Sequence, residues 1–453
     1  SLMAFDENGE AVPYLATEVT PNDDFTEWTI EIPEGVLFHD GSTMTSQSVA
    51  DNLNFYAHGP TLSKVALDKM MGDAEVAGPT TVVVPMKAPW SGFPATIAGP
   101  SGYIMGPSML LEENKYGVDA PVGTGPFQFE NWEPDVSLQV SRFDDYRVDG
   151  QPHLDEIEFN VVLDPGSRDA ALQAGDVQMI FTNSPSSLRD FLDDGDFTIV
   201  ADLESEKSFV QLNTSKPPFD SLTAREALAR ATDREALKET LGAGVVTSTD
   251  DPLNGRWKVD EPGYVTFDAE EAKALVARYE EENGGPLSFT LSGLNNVEEL
   301  DLMTALQEQW QAVGMEVEVR QVEQTVFISE AVGGTFEAQS FRGFAYVDPD
   351  SDYVFWHSST ATPPISINFP QVKVQEIDTA LDEARTVGGD DRKPYYDQVV
   401  KQLNSQLAHI WLYNTPYALI AAPEVRGLNG ARQVPFGNFL PKTWWGDVWL
   451  EQS

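Results

Sequence analysis

Two stretches of this sequence, Phe209-Val210-Gln211-Leu212-Asn213-Thr214 and Ile410-Trp411-Leu412-Tyr413-Asn414-Thr415, echo each other. Each is an apolar, strand-like run ending in Asn-Thr, with a proline close behind, Pro217 and Pro416. They leave one long span before them, a second between them and a short tail after, and each long span suffices for a domain. The simplest architecture consistent with that spacing is one lobe built from both chain ends and a second lobe inserted between. The echo strands are then the crossings from lobe to lobe. The alternative for either is an ordinary buried strand.

The periodicity on the two sides of the first echo differs. Before it, Glu27-Trp28-Thr29-Ile30-Glu31-Ile32 alternates polar and apolar, the period of a half-buried strand. A helix is predicted over 46–57, with Thr45 as cap and Gly59 as stop. The β-branched run at 80–86 predicts a strand, and 89–109, dense in Gly and Pro, a loop. A meander comes next, with strands near 127–132, 136–143 and 157–163, then a short helix ending near Gly175. After the first echo the period becomes helical. Residues 223–241 read as one Ala- and Leu-rich helix, and Asp268-Ala269-Glu270-Glu271 as a capping box opening a helix to Asn283. Strands near 287–291 and 315–322 flank a helix over 296–313, and helices near 372–385 and 393–406 lead into the second echo. That helix–strand rhythm predicts an α/β lobe.

Acid outnumbers base, 73 residues to 28, for a net charge of −45. The acid is spread along the chain instead of forming a tail, so a solvated acidic surface is expected on a globular protein with 41% hydrophobic residues. Phosphate contacts need a basic stripe and none is present, which excludes nucleic acid and an anionic membrane as partners. Such a surface suits high ionic strength, where salt screens self-repulsion, and a salty external habitat is the corresponding expectation. Stability that failed to rise with added salt would count against it. Cysteine is absent, which removes disulfides, a thiol nucleophile and thiolate metal sites. No window of 18 apolar residues occurs, and no signal peptide is visible at the start, Ser1-Leu2-Met3-Ala4-Phe5.

Catalytic patterns fail one by one. Gly123-Thr124-Gly125-Pro126 runs into a strand and offers no helix N-terminus to a phosphate. The five histidines, His39, His58, His153, His357 and His409, are isolated, and a structural role is expected for each. Asp348-Pro349-Asp350-Ser351-Asp352 resembles the start of a calcium loop but has Tyr353 and Ser359 where glycine and an acid are needed. No metal, cofactor or catalytic group is therefore expected. Aromatic residues in loops remain, among them Trp90, Trp132, Trp257, Trp356 and Trp444-Trp445. Such rings line small-molecule sites or pack cores.

Taken together, several motifs resemble the extracellular solute-binding proteins of ABC importers, in the large family of peptide-, nickel- and oligosaccharide-binding members. The resemblance is carried by Trp28-Thr29-Ile30, Val36-Leu37-Phe38-His39-Asp40-Gly41-Ser42, Val122-Gly123-Thr124-Gly125-Pro126-Phe127, Leu172-Gln173-Ala174-Gly175-Asp176, Pro217-Pro218-Phe219-Asp220, Thr232-Asp233-Arg234 and Asp348-Pro349-Asp350. These cover nearly the whole chain in the right order. The resemblance implies an α/β, two-lobed periplasmic-binding-protein-like fold of type II with an extra subdomain. Residues 1–208 plus 415–453 would form lobe I, with 25–120 as the extra subdomain, and 209–414 the inserted lobe II. It also implies that residues of a first strand and loop precede Ser1.

The implied function is capture of a small solute outside the cytoplasm, an oligosaccharide or a peptide-like ligand, and its delivery to ABC permease subunits. A monomer, periplasmic or extracellular and with a lipid anchor as one option, is the form expected. Peptide-binding relatives place an aspartate just before the Asp-Pro turn; here Arg342-Gly343-Phe344-Ala345-Tyr346-Val347 carries no acid, and 295–302 offers no arginine. A cleft without a charge clamp, suited to a neutral ligand, is the resulting expectation, although Arg342 admits an anionic group. The candidate ligand-binding residues are Gln211, Asn213, Tyr413 and Asn414 on the crossings, with Arg342, Phe344, Tyr346 and Trp356 from the inserted lobe. The rival readings are a secreted hydrolase working through a carboxylate pair, on sugars or peptides, and a solute-sensing receptor module.

Overall fold

In the computed structural model the described residues are 1–451 without 62, 119, 363 and 429–442, and without the side chains of 65–66 and 114–116. Part of the tail assigned to lobe I, 429–442, thus lies outside them. Packing divides the chain into two compact units. The first comprises Ser1–Thr182, Asp190–Ala201 and Ala418–Ser453; the second comprises Asn183–Arg189 and Asp202–Tyr417.

In the first unit, strands Glu18–Pro21, Glu27–Glu31, Glu75–Val76 and Thr81–Pro85 form one antiparallel sheet. Helix Ser46–His58 accompanies it, opened by a reciprocal capping box between Thr45 and Ser48 and stopped at Gly59. The meander is a three-stranded antiparallel sheet of Phe127–Glu133, Ser137–Arg142 and Glu156–Asn160. His39 joins two turns: its Nδ1 accepts from the Gly123 N–H at 3.2 Å, and its Nε2 lies 3.1 Å from the Gly125 carbonyl. That is a structural role.

Six strands form the largest sheet: β1 (Met179–Thr182), β2 (Thr198–Leu212), β3 (Ser288–Leu294), β4 (Glu316–Val322), β5 (Ala338–Gly343) and β6 (His409–Ala421), in the order β1-β6-β2-β5-β3-β4. The first echo stretch covers the last four residues of β2 and the two that follow it, the second lies in the first half of β6, and these two strands are neighbours. Strands β3, β4 and β5 pair in parallel, the pattern expected where helices connect strands, while β2 runs antiparallel to β5. One side of the sheet in the second unit packs Val210, Leu212, Ile410 and Leu412 against helices that carry Leu228, Leu306 and Trp310. The other side packs Phe209 and Trp411 against Trp356, Tyr396 and Leu403.

Local chemistry explains where the helices start. Asp268 accepts from the N–H groups of Glu270 and Glu271 and opens helix Ala269–Asn283, which ends at Gly284 with φ +74°. The single helix expected over 223–241 is two, Leu222–Ala231 and Arg234–Leu241. Asp233 breaks it by turning its carboxylate onto the Ala236 N–H, the competition with helix that short acidic side chains offer.

Candidate functional site

Two of the three acids of the calcium-like run are already committed, while Asp352 is buried with its Oδ1 unpartnered among the described residues. Asp348 makes a two-pronged pair with Arg392, at 2.7 and 2.8 Å, and Asp350 one with Arg385, at 2.6 and 3.1 Å, all buried. A carboxylate that has taken a guanidinium fork is not free to ligate calcium. Among the described residues no cluster of three ligating side chains is suited to a metal ion. The pairs anchor the segment after β5, and a second set of bonds holds its start. The Lys207 ammonium donates to Asn254 Oδ1 at 2.6 Å, and Asn254 Nδ2 donates to the Phe344 carbonyl at 2.7 Å. Phe344 sits at φ +61°, a region costly for a bulky residue, and its ring stacks on Phe209 with centroids 5.1 Å apart.

Strand register then decides which side chains meet. Ser208 pairs with Arg342 and Val210 with Ser340, so these four share one face; Phe209, Gln211, Phe341 and Gly343 share the other. On the Arg342 face the chain collects charge. Glu206, two residues before Ser208, accepts from the Tyr417 hydroxyl. Glu299 arrives from helix Val297–Gln311, where Asn296 caps the first turn by accepting the Glu299 N–H at 2.9 Å. Its Oε1 is buried and has no hydrogen-bond partner among the described residues. Gly293 makes that seat available, because a Cβ there would lie 2.9 Å from Glu299 Cγ and Oε1 and 2.7 Å from Met303 Sδ. Tyr413 reaches Ser208 from β6.

All five residues, Glu206, Glu299, Arg342, Tyr413 and Tyr417, are half-buried. Burial pushes the Glu206 carboxyl above the usual carboxylate range, against the opposing pull of Tyr417 and Arg342. Burial does the same to Glu299, opposed by Ser340 and Arg342. Burial acts to lower the Arg342 pKa, but Tyr417, Glu206 and Glu299 outweigh it and the net shift is upward. The Tyr413 hydroxyl is pushed up to about 12, chiefly by burial. Among the described residues Arg342 closes no direct ion pair, so its guanidinium fork keeps donors to spare. A guanidinium and two carboxyls, from β5, β2 and a helix N-terminus, thus lie within electrostatic reach of one another.

The expected site residues fall into three groups. Arg342 and Tyr413 belong to the charge cluster. Gln211, Phe344 and Tyr346 line an aromatic cavity on the other face, together with Arg342 at its edge. The remaining three are buried, and Asn414 Oδ1 and Trp356 Nε1 have no hydrogen-bond partner among the described residues. Asn213 is fully buried, its Nδ2 donating to the Gly334 and Phe336 carbonyls while its Oδ1 accepts from the Ser215 N–H and hydroxyl, which leaves no atom for a ligand. Asn414 is buried and donates to the Thr247 hydroxyl at 2.7 Å. Trp356 is 1% exposed and packs on Phe344 with centroids 5.5 Å apart. Glu206 and Glu299 are absent from the expected set. The signal for Glu299 is the Asn296-x-x-Glu299 spacing of a helix start.

The family model for bacterial extracellular solute-binding proteins, family 5, matches residues 10–364, well over half of the chain. The chain belongs to that family. The glutathione-binding protein GsiB of Pectobacterium atrosepticum is 25% identical over 93% of this chain and 83% of its own length. The oligopeptide-binding protein AppA of Bacillus subtilis is 27% identical over 95% of this chain and 83% of its own. The fold is shared with the periplasmic binding protein DppA of Helicobacter pylori in complex with the peptide STSA, at a TM-score of 0.87 over all of this chain and 92% of that one, with 18% identity. Family 5 proteins are the extracytoplasmic solute-binding components of ABC importers, periplasmic or extracellular, and the role read from the sequence is theirs. Among the described residues no helix is long and apolar enough to cross a membrane.

Proposed function

We propose that this protein captures a short peptide or a similar zwitterionic solute and delivers it intact to its permease, acting as a monomer and without catalysis. The observation that carries this reading is the half-buried set of Arg342, Glu206 and Glu299. One guanidinium cannot neutralise two carboxylates, so the set is satisfied either by a proton on one of them or by a ligand ammonium. A ligand carboxylate can take the unspent donors of Arg342. A neutral oligosaccharide supplies neither charge, and the named ligands of the two curated relatives, glutathione and oligopeptides, carry both. Strands β2 and β6 serve as the hinge, and bound solute shifts the population toward the closed state because only that state completes its contacts. Lipid anchoring is part of the same proposal.

The test is calorimetry with a panel of di- and tripeptides, glutathione and malto-oligosaccharides, followed by mass spectrometry of the recovered ligand. A peptide-like solute should bind and return unaltered. Arg342→Gln should weaken it roughly 10- to 150-fold, the worth of a hydrogen bond to a charged group. Cleavage of the ligand, or a sugar bound with an affinity indifferent to Arg342→Gln, overturns the reading.

A further inference from the structure

Behind the charge cluster, on the opposite face of β2 and β5, the second unit holds a partly open cavity of about 180 Å³. Its walls are rings: Phe209, Phe341, Phe344, Phe355 and Phe369, with Tyr346 and Ile367 beside them. Close packing normally leaves no such void, and each missing neighbour forfeits dispersion contacts along the lining. The space is of the right order for one ring, since an apolar cavity of about 150 Å³ is known to take up benzene.

The lining is not wholly apolar. His409, only 4% exposed, faces the cavity from β6, and its Nδ1 has no hydrogen-bond partner. An unpaired buried nitrogen costs on the order of 1–3 kcal/mol, so a fold retains one at little gain unless something reaches it. Trp411 stacks on the same imidazole, centroids 5.1 Å apart and planes 12° apart, which fixes the ring's orientation. Burial pushes the His409 pKa down to about 3, so the imidazole is neutral at physiological pH and repels no neutral guest. Gln211, also at the cavity, is held by its own bond to Gln339 at 3.0 Å and leaves His409 as the group in need of a partner.

We propose that this cavity is a subsite for a planar aromatic group bearing a hydrogen-bonding substituent, a phenol or an indole, carried by the transported solute. The ring fills the aromatic box, and its hydroxyl or N–H satisfies the buried imidazole nitrogen. The preference for a peptide-like solute rests on the function proposed above; the ring-lined space and the unpaired imidazole stand without it, although Arg342 lines both the cavity and the charge cluster. Within that reading the protein favours peptides with tyrosine or tryptophan over aliphatic ones.

The experiment measures Ala-Tyr, Ala-Trp and Ala-Ala by calorimetry, with phenol and toluene as isolated probes and tryptophan fluorescence as a second readout through Trp411. The aromatic dipeptides should bind at least about tenfold tighter than Ala-Ala. Gly343→Val should collapse that ratio, because a Cβ at Gly343 lies 3.9 Å from two Phe209 ring carbons and the added methyl groups take up the space. If that variant does not fold, Ile367→Trp fills the cavity from the opposite wall. His409→Phe should abolish the preference for phenol over toluene while toluene still binds. Equal affinity for Ala-Tyr and Ala-Ala, or an aromatic preference that survives both filled cavities, overturns the proposal and leaves the peptide reading standing. Phenol bound in a Gly343-sensitive way with no dipeptide bound at all upholds the cavity and overturns the peptide reading.

Discussion

Glu299→Gln separates a charge held for a ligand from one held for the fold. The change keeps the shape and one hydrogen-bonding oxygen but removes the charge, in a seat prepared by Gly293 and capped by Asn296. A hydrogen bond from a ligand ammonium to this half-buried carboxylate is worth about 1.5–3 kcal/mol, so peptide affinity should fall roughly 10- to 150-fold. Stability should move the other way. Burial raises the folded-state pKa of Glu299 above its unfolded value, so between the two values the folded state binds more protons. Stability in the free protein therefore falls as pH rises through that window, and the cost is fully present above the folded-state value. The glutamine avoids it at every pH. The variant should melt higher than the parent at pH 7, and the gap should close as the solution is acidified toward the ordinary glutamate value near about 4.3. The same groups make wild-type peptide binding fall off on acidification above that ordinary value, because Glu206 is raised as well. Calorimetry and thermal melts over a pH series report both limbs. A variant that melts lower at pH 7 and binds peptide as before would refute the assignment, since both signs would then be wrong.

Other perturbations read the scaffold around the cluster. Asn213→Ala should cost roughly 1–3 kcal/mol of stability, by stranding the Gly334 and Phe336 carbonyls, and leave peptide affinity in the folded protein unchanged; titration at a temperature well below the melt checks this. Arg392→Met should cost about 3–5 kcal/mol in denaturant unfolding, because it leaves Asp348 charged and buried, and adding Asp348→Asn should recover part of the loss while keeping the acceptor that caps Asp350.

The echo strands and most helices are legible in the sequence because their signals are local. Thr45, Asp268 and Gly284 announce helix ends through local capping, while the first Asn-Thr ending follows the end of β2 and the second lies within β6. What those asparagines do is less legible. An Asn after an apolar strand reads equally as a ligand group or as a peg for neighbouring carbonyls, and for Asn213 the contacts made are those of a peg. Glu206, Glu299 and Arg342 are dilute signals, since two acids among 73 carry no distinction until the sheet brings positions 206, 299, 342, 413 and 417 together. The calcium-like run, set aside in the sequence for want of a glycine and a final acid, is ambiguous for the opposite reason: three acids close in sequence suggest a shared ligand, whereas the fold gives two of them separate arginines from 35 and 44 residues away.

Alternation along β2 accounts for how one strand serves two chemistries. Glu206 and Ser208 point to the charged face, Phe209 and Gln211 to the aromatic one, and β5 repeats the division with Arg342 against Phe341. A one-residue slip would exchange the two faces and bury Arg342 among the rings, so the register must be pinned. The pins are visible at both ends of the pair. At one end, Asn213 bonds the carbonyls of Gly334 and Phe336, just before β5 begins. At the other, Lys207 and Asn254 hold the carbonyl of Phe344, just after it ends. The buried Asp348–Arg392 and Asp350–Arg385 pairs fix the chain immediately beyond Val347. Ionic and amide groups are costly to bury and contribute little net stability, but here they hold a guanidinium on one side of a strand and a ring box on the other. That is a better account of their presence than stability alone, and it makes Asn213, Asn254 and Arg392 positioning residues for the proposed site, which none of them touches.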